Sequence, residues 1–184
     1  ALSADGTVVA VGAYRYDPPG KNAAGHVRVF TYDAANDHWD PRGPGFDGEA
    51  AGDSSAEYAL DLSADGTVVA IGAHENDPPG KTDAGHVRVY AWDGAANEWA
   101  PRDANLDGGV AGDYYGWAVA LSADGSVLAV VSQRSHPDGI SDAGHVRVYA
   151  WDDSASAYAP RGQDLKGLAA SDRTSAVALS ADGT

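Results

Sequence analysis

Three His-x-Arg pairs recur through the chain: His26 with Arg28, His86 with Arg88, and His145 with Arg147, each inside the run GHVRV. Two-residue spacing puts both side chains on one face of an extended strand. An imidazole beside a guanidinium can grip an anionic group or a sugar hydroxyl, so these six residues are candidate ligand contacts. A plainer role is that each Arg pairs with an Asp of a neighbouring strand or repeat. Recurrence in every repeat favours the plainer role, because a catalytic constellation normally breaks symmetry. Polar residues that do break it are confined to Gln133, Arg134 and His136, in a loop where the third copy diverges.

The aromatics pose the same choice. Trp39, Trp92, Trp99, Trp151, Tyr90 and Tyr149 have faces that can stack on sugars, or they can pack one repeat against the next. Packing is the expectation, and Trp92 and Trp151 stand as ligand or inter-repeat contacts. Arg42, Arg102 and Arg161 each follow a Pro and are expected to tie down a sheet edge. Asp53, Asp113 and Asp172 recur in acidic, Gly-rich loops that read as solvated turns. No HExxH, nucleophile elbow, Cys-His pair or phosphate loop is present, so no catalytic residue is assigned.

Composition narrows the classes. The 184 residues carry 27 acids against 12 bases, a net charge of -15. That balance repels phosphate backbones and anionic membranes, so neither nucleic acid nor membrane insertion is expected. No run approaches the roughly 18 apolar residues of a spanning helix. Cys is absent, which removes disulfides and thiolate metal sites. Without an initiator Met or leader, the sequence reads as processed or as a piece of a longer chain.

The elements that carry these residues repeat. LSADG starts at Leu2, Leu62, Leu121 and Leu179, GHVRV at Gly25, Gly85 and Gly144, and Pro-Arg at Pro41, Pro101 and Pro160. Three markers share one spacing, which divides the chain into 1–61, 62–120, 121–178 and the start of a further unit at 179–184. Each unit of about 59 residues predicts four strands and no helix. The strands are a β-branched run after SADG, the GHVRV strand, an aromatic strand closed by Pro, and a strand ahead of the next LSADG at 57–63, 116–122 and 175–180. Asp and Gly in SADG predict a tight hairpin with Gly at positive φ. Short antiparallel strands at this period predict an all-β array of propeller-like blades.

Tyr115-Gly116-Trp117 followed by AVALSADGSVLAV, the Gly-Ala ends at Gly12-Ala13 and Gly72-Ala73, and the GHVRVY strand together resemble FG-GAP repeats, the blades of integrin-alpha-type propellers. The resemblance implies calcium loops of the form D-x-[DN]-x-D-G-x-x-D. Of those ligands only Asp61 and Asp65 remain in the second unit, with Val69 at the final position and Ala120 opening the third. One or two carboxylates fall short of the roughly 6–8 oxygens calcium takes, so no cofactor is expected. The resulting expectation is a non-enzymatic structural or adhesive module, secreted or at a cell surface, whose partners are copies of itself or further repeats. A glycan-binding propeller with one shallow site per blade is the alternative.

Overall fold

The computed structural model describes all 184 residues, Ala1–Thr184. The first sheet holds β1 (Val8–Ala13), β2 (His26–Asp33), β3 (His38–Pro41) and β4 (Phe46–Asp47). In the second are β5 (Leu60–Leu62), β6 (Val68–Ala73), β7 (His86–Asp93), β8 (Glu98–Pro101) and β9 (Leu106–Asp107). Five more strands, β10 (Tyr115–Leu121), β11 (Val127–Ser132), β12 (His145–Asp152), β13 (Ala157–Pro160) and β14 (Leu165–Lys166), make the third. Within each sheet every strand pairing is antiparallel, and the GHVRV strand is the hub that the β-branched strand and the outer pieces share.

Two details depart from four strands per unit. The outer strand is split: β3 pairs Phe30–Asp33 of β2 and β4 pairs His26–Val27. Pro41, Pro101 and Pro160 have no N–H to extend the ladder, so pairing stops there and resumes after a short loop. Residues 175–180, expected as a strand, lie outside any strand. β5 and β10 pair with the strand beyond their own LSADG turn, and 175–180 has no such partner. Val177 and Leu179 nevertheless pack on Ala129, Val131 and Val146. A single 3-10 turn, Pro137–Gly139, is the one helical element, set by the fixed φ of Pro137.

The core lies between sheets. Val8, Val27, Val29 and Phe46 of the first pack on Leu62, Val69, Ile71 and Trp99 of the second. Val68, Ala70, Val87 and Val89 then face Leu128, Val130, Tyr149 and Tyr158 of the third. A sheet covered on both faces needs apolar residues at consecutive positions, and β6 and β11 are buried along their whole length.

Two devices fix the stacking. In the SADG turn, Ser63 Oγ donates to Asp65 Oδ1 at 2.7 Å and accepts the Val68 N–H at 2.8 Å, while Gly66 sits at φ 68°. The turns then join one another: the amides of Ala4, Ala64 and Ala123 donate to the carbonyls of Ala64, Ala123 and Ala181 at 2.7–2.8 Å. At the outer edge, the Arg42 guanidinium carbon lies 4.8 Å from the Trp92 ring centroid and 5.7 Å from Trp99, and Trp99 Nε1 donates to the Arg42 carbonyl. Arg102 repeats this over Trp151 and Tyr158 of the third sheet, at 4.5 and 5.6 Å. Arg102→Ala is expected to cost about 1–2 kcal/mol through lost cation–π attraction and stem packing, read as a lower urea midpoint.

Asp124 reports the turn electrostatics. The Ser126 amide and the hydroxyls of Ser126 and Ser122 hold its carboxyl down to about 2. Its folded pKa lies below the unfolded value near 3.9, so its contribution is present above pH ~4 and is lost as pH falls toward 2. Solvent screening at this exposed turn keeps that below about 1 kcal/mol. Asp124→Asn should therefore lower the urea midpoint at pH 5, and the gap to the wild type should close by pH ~2.

Candidate functional site

The His and Arg of the second and third GHVRV strands point into the seam with the preceding sheet, and the two internal seams differ. Between the first and second sheets the space is filled. Arg88 Nη2 donates to the Asp47 carbonyl at 2.9 Å, His86 lies 3.6 Å from Glu49, and Asn105 Nδ2 donates to Glu49 at 3.1 Å. Between the second and third sheets Gly109 stands where Glu49 stood, and Asp164 replaces Asn105. Arg147 turns back to its own sheet, donating through Nε and Nη2 to the two oxygens of Asp164 at 2.7 and 2.6 Å. The vacated seam is a cavity of about 360 Å³ lined by Asp113, Tyr115, Ser135, His136, His145, Arg147, Asp164 and Lys166, among others. Such a volume suits a small ligand.

Its chemistry is specific. Ser135 Oγ donates to the Ser132 carbonyl at 3.3 Å and sits 2.6 Å from His145 Nδ1. The tautomer in which the hydroxyl proton stays on that carbonyl has Nδ1–H donating to Ser135 and the free lone pair on Nε2. Nε2 is buried with no hydrogen-bond partner, 4.0 Å from Asp164 Oδ2. Desolvation lowers the His145 pKa below the ordinary imidazole value, against the pull of Asp164. The imidazole is therefore neutral near pH 7, as a general base requires. Hydrogen bonding to Arg147 keeps Asp164 ionised below the usual carboxylate range, and burial raises Asp113. Lys166 is held by Asp138 at 2.8 Å.

A second cluster adjoins this cavity across the segments 113–117 and 132–136. Glu57, His74 and Glu75 gather there with their ligand-capable atoms within 4.8 Å of one another. Tyr58 stacks on Trp117 at 4.4 Å, and the edges of Tyr114 and Trp117 meet His74.

The other residues singled out in the sequence are spread through the fold. His26 pairs with Asp47 at 2.6 Å, and Arg28 lies over Phe30, both on the open face of the first sheet. Trp92 and Trp151 sit beneath Arg42 and Arg102 in the seams. Asp61 accepts the amides of Leu62 and Leu121, and Asp65 is consumed by its own turn, so the two carboxylates serve backbone rather than a shared site. Asp53 binds the Ala50 amide and Asn76, and Asp172 the Leu168 and Ala169 amides, whereas Asp113 borders the cavity. Of the divergent loop, His136 lines the cavity and Arg134 faces the Glu57 cluster, stacked 4.2 Å over Tyr114. Ser135, Asp164 and Lys166 were missed. Aligning the units at GHVRV exposes all three, as Tyr16/Asn76/Ser135, Gly45/Asn105/Asp164 and Asp47/Asp107/Lys166.

No family model matches the chain, and no curated relative does. Solved structures do. A protein assigned as a 6-phosphogluconolactonase from Bacteroides uniformis matches with a TM-score of 0.57 at 14% identity, over 90% of this chain and 39% of its own. A like-named protein from Bacteroides fragilis gives 0.56 at 13%, over 90% and 38%. Periplasmic gluconolactonase of Pseudomonas aeruginosa gives 0.53 at 19%, over 92% and 39%. The chain thus spans about two fifths of the length of each.

At these identities the likeness carries the architecture: the three sheets are blades of a propeller-type all-β fold. The expectation of a non-enzymatic structural or adhesive module is corrected here, because the solved propellers that share the fold bear the names of lactone hydrolases. Symmetry had been the argument for a non-enzyme, and the third blade breaks it. An extracellular or periplasmic location is compatible with the periplasmic neighbour, and no helix is long and apolar enough to cross a membrane.

Proposed function

We propose that this chain contributes to a hydrolase acting on the lactone of a sugar acid, with the cavity between the second and third blades as its site. The observation that carries the reading is the local loss of repeat symmetry. Ser135, Asp164, Lys166 and Gly109 differ from their counterparts, and this seam is open where the seam between the first and second sheets is filled. The names of the propeller neighbours supply the substrate class.

In this mechanism His145 Nε2 takes a proton as water oxygen bonds to the lactone carbonyl carbon. Negative charge on the carbonyl oxygen falls to Lys166. The ring C–O bond then breaks, and the ring oxygen leaves with the proton returned by His145, giving the hydroxy acid. An anionic substituent that competes for Arg147 would release Asp164 and uncover Nε2, which favours a phosphorylated or carboxylated sugar lactone. We place the protein outside the cytoplasm, secreted or at a cell surface, and assign the repeats to the FG-GAP type on the GHVRVY and LSADG runs.

The test is hydrolysis of 6-phosphogluconolactone and gluconolactone above the spontaneous rate. Because the folded pKa of His145 is lowered, the base is lost only as pH falls below about 6.5. The acid limb of kcat/KM should therefore lie below the ordinary imidazole value. A flat profile, or no rate above the spontaneous one, would remove the proposal.

A further inference from the structure

We propose that Glu57, His74 and Glu75 hold a first-row divalent cation, with zinc the best match. One imidazole nitrogen and two carboxylate oxygens lie within 4.8 Å of one another. At Zn–N and Zn–O bonds of roughly 2.0–2.2 Å, tetrahedral ligands stand about 3.3 Å apart, so the three close on an ion by small side-chain rotations. His74 is the independent pointer. Its side chain is 5% exposed, it lies 3.8 Å from Glu57 Oε2, and neither ring nitrogen has a hydrogen bond within the protein. Two carboxylates gather around it with no Lys or Arg in salt-bridge range of either.

The surroundings fit a site with an open position. Ser54 Oγ donates to Glu75 Oε2 at 2.6 Å and orients that carboxylate, as outer-sphere partners of metal ligands do. Three protein ligands leave the fourth tetrahedral position to water or substrate. Tyr58, Tyr114 and Trp117 wall it, and Arg134, whose Nε is buried without a partner, faces the same space. An anionic oxygen would bridge the cation and that guanidinium. The cluster is unique to the second blade, since Tyr14-Arg15 and Gln133-Arg134 stand at the positions of His74-Glu75.

Cobalt(II) supplies the readout, independent of any hydrolysis. Titrating the metal-free chain should give a visible d–d spectrum saturating at one Co²⁺ per chain and abolished by equimolar Zn²⁺. Glu57→Gln and Glu75→Gln should each weaken binding at least tenfold, with circular dichroism unchanged. The exposed Asp33, His38 and Asp40 group serves as the control, and His38→Ala should leave the titration as it is. No spectrum, or wild-type titrations in both Gln variants, would overturn the site. So would loss of binding on His38→Ala.

Discussion

His145→Gln should lower kcat/KM for the lactone by about 10²–10⁴-fold while leaving the fold in place. Gln is close in length to His and can still donate to Ser135 Oγ, so the contact at 2.6 Å to that hydroxyl has a replacement. What Gln lacks is a basic lone pair at the position of the buried Nε2. The same variant should lose the acid limb of the pH profile. An undiminished rate would move the base elsewhere in the cavity, with Asp113 the remaining titratable group on its wall besides those already paired. Steady-state kinetics with a melting curve for each protein separates lost chemistry from lost structure.

Gly85→Ala should carry the largest cost in stability, about 3 kcal/mol or more. Gly85 sits at φ 77°, where an L side chain is strained, and a Cβ there would run into the Tyr115 carbonyl oxygen. That oxygen cannot step aside cheaply, because the Tyr115 amide donates to Ala84 at 2.9 Å and the two segments form a parallel bridge. This is the point where the second blade hands over to the third, beside the cavity. Gly20→Ala, also at positive φ but with open space around it, should cost far less. Urea unfolding of the pair isolates the close approach from the backbone conformation; equal losses would contradict it.

Much of the architecture is legible in the residues. TVVAIGA reads as a strand because β-branched residues without alternation suit a sheet covered on both faces, and β6 is buried throughout. SADG reads as a turn because Ser, Asp and Gly each have one physical task there. Their joining into a turn-to-turn ladder is not legible, since spacing along a chain says nothing of which turns become neighbours. The same gap hid the seam locks: Pro-Arg and the tryptophans recur together, but only the stacking brings Arg102 over Trp151.

The site was half legible. Divergence at Gln133, Arg134 and His136 marks a loop that borders the cavity, whereas Asp164 and Lys166 lie about 30 residues away and meet it only because β14 pairs with the start of β12. Repetition of His-x-Arg also misled. Three identical pairs face three different neighbours: open surface for Arg28, the Asp47 carbonyl for Arg88, and Asp164 for Arg147. Symmetry of sequence did not become symmetry of environment.

The central claim is that departures from the repeat in the third blade make the site. Restoring the second blade's residues tests it in one protein: Ser135→Asn, Asp164→Asn and Lys166→Asp, the counterparts at Asn76, Asn105 and Asp107. The measurement is hydrolysis of 6-phosphogluconolactone by wild type and triple variant against the spontaneous rate. A wild-type rate above the spontaneous one, lost in a variant that keeps its β-sheet spectrum, is the predicted result. Equal rates in the two proteins would contradict it.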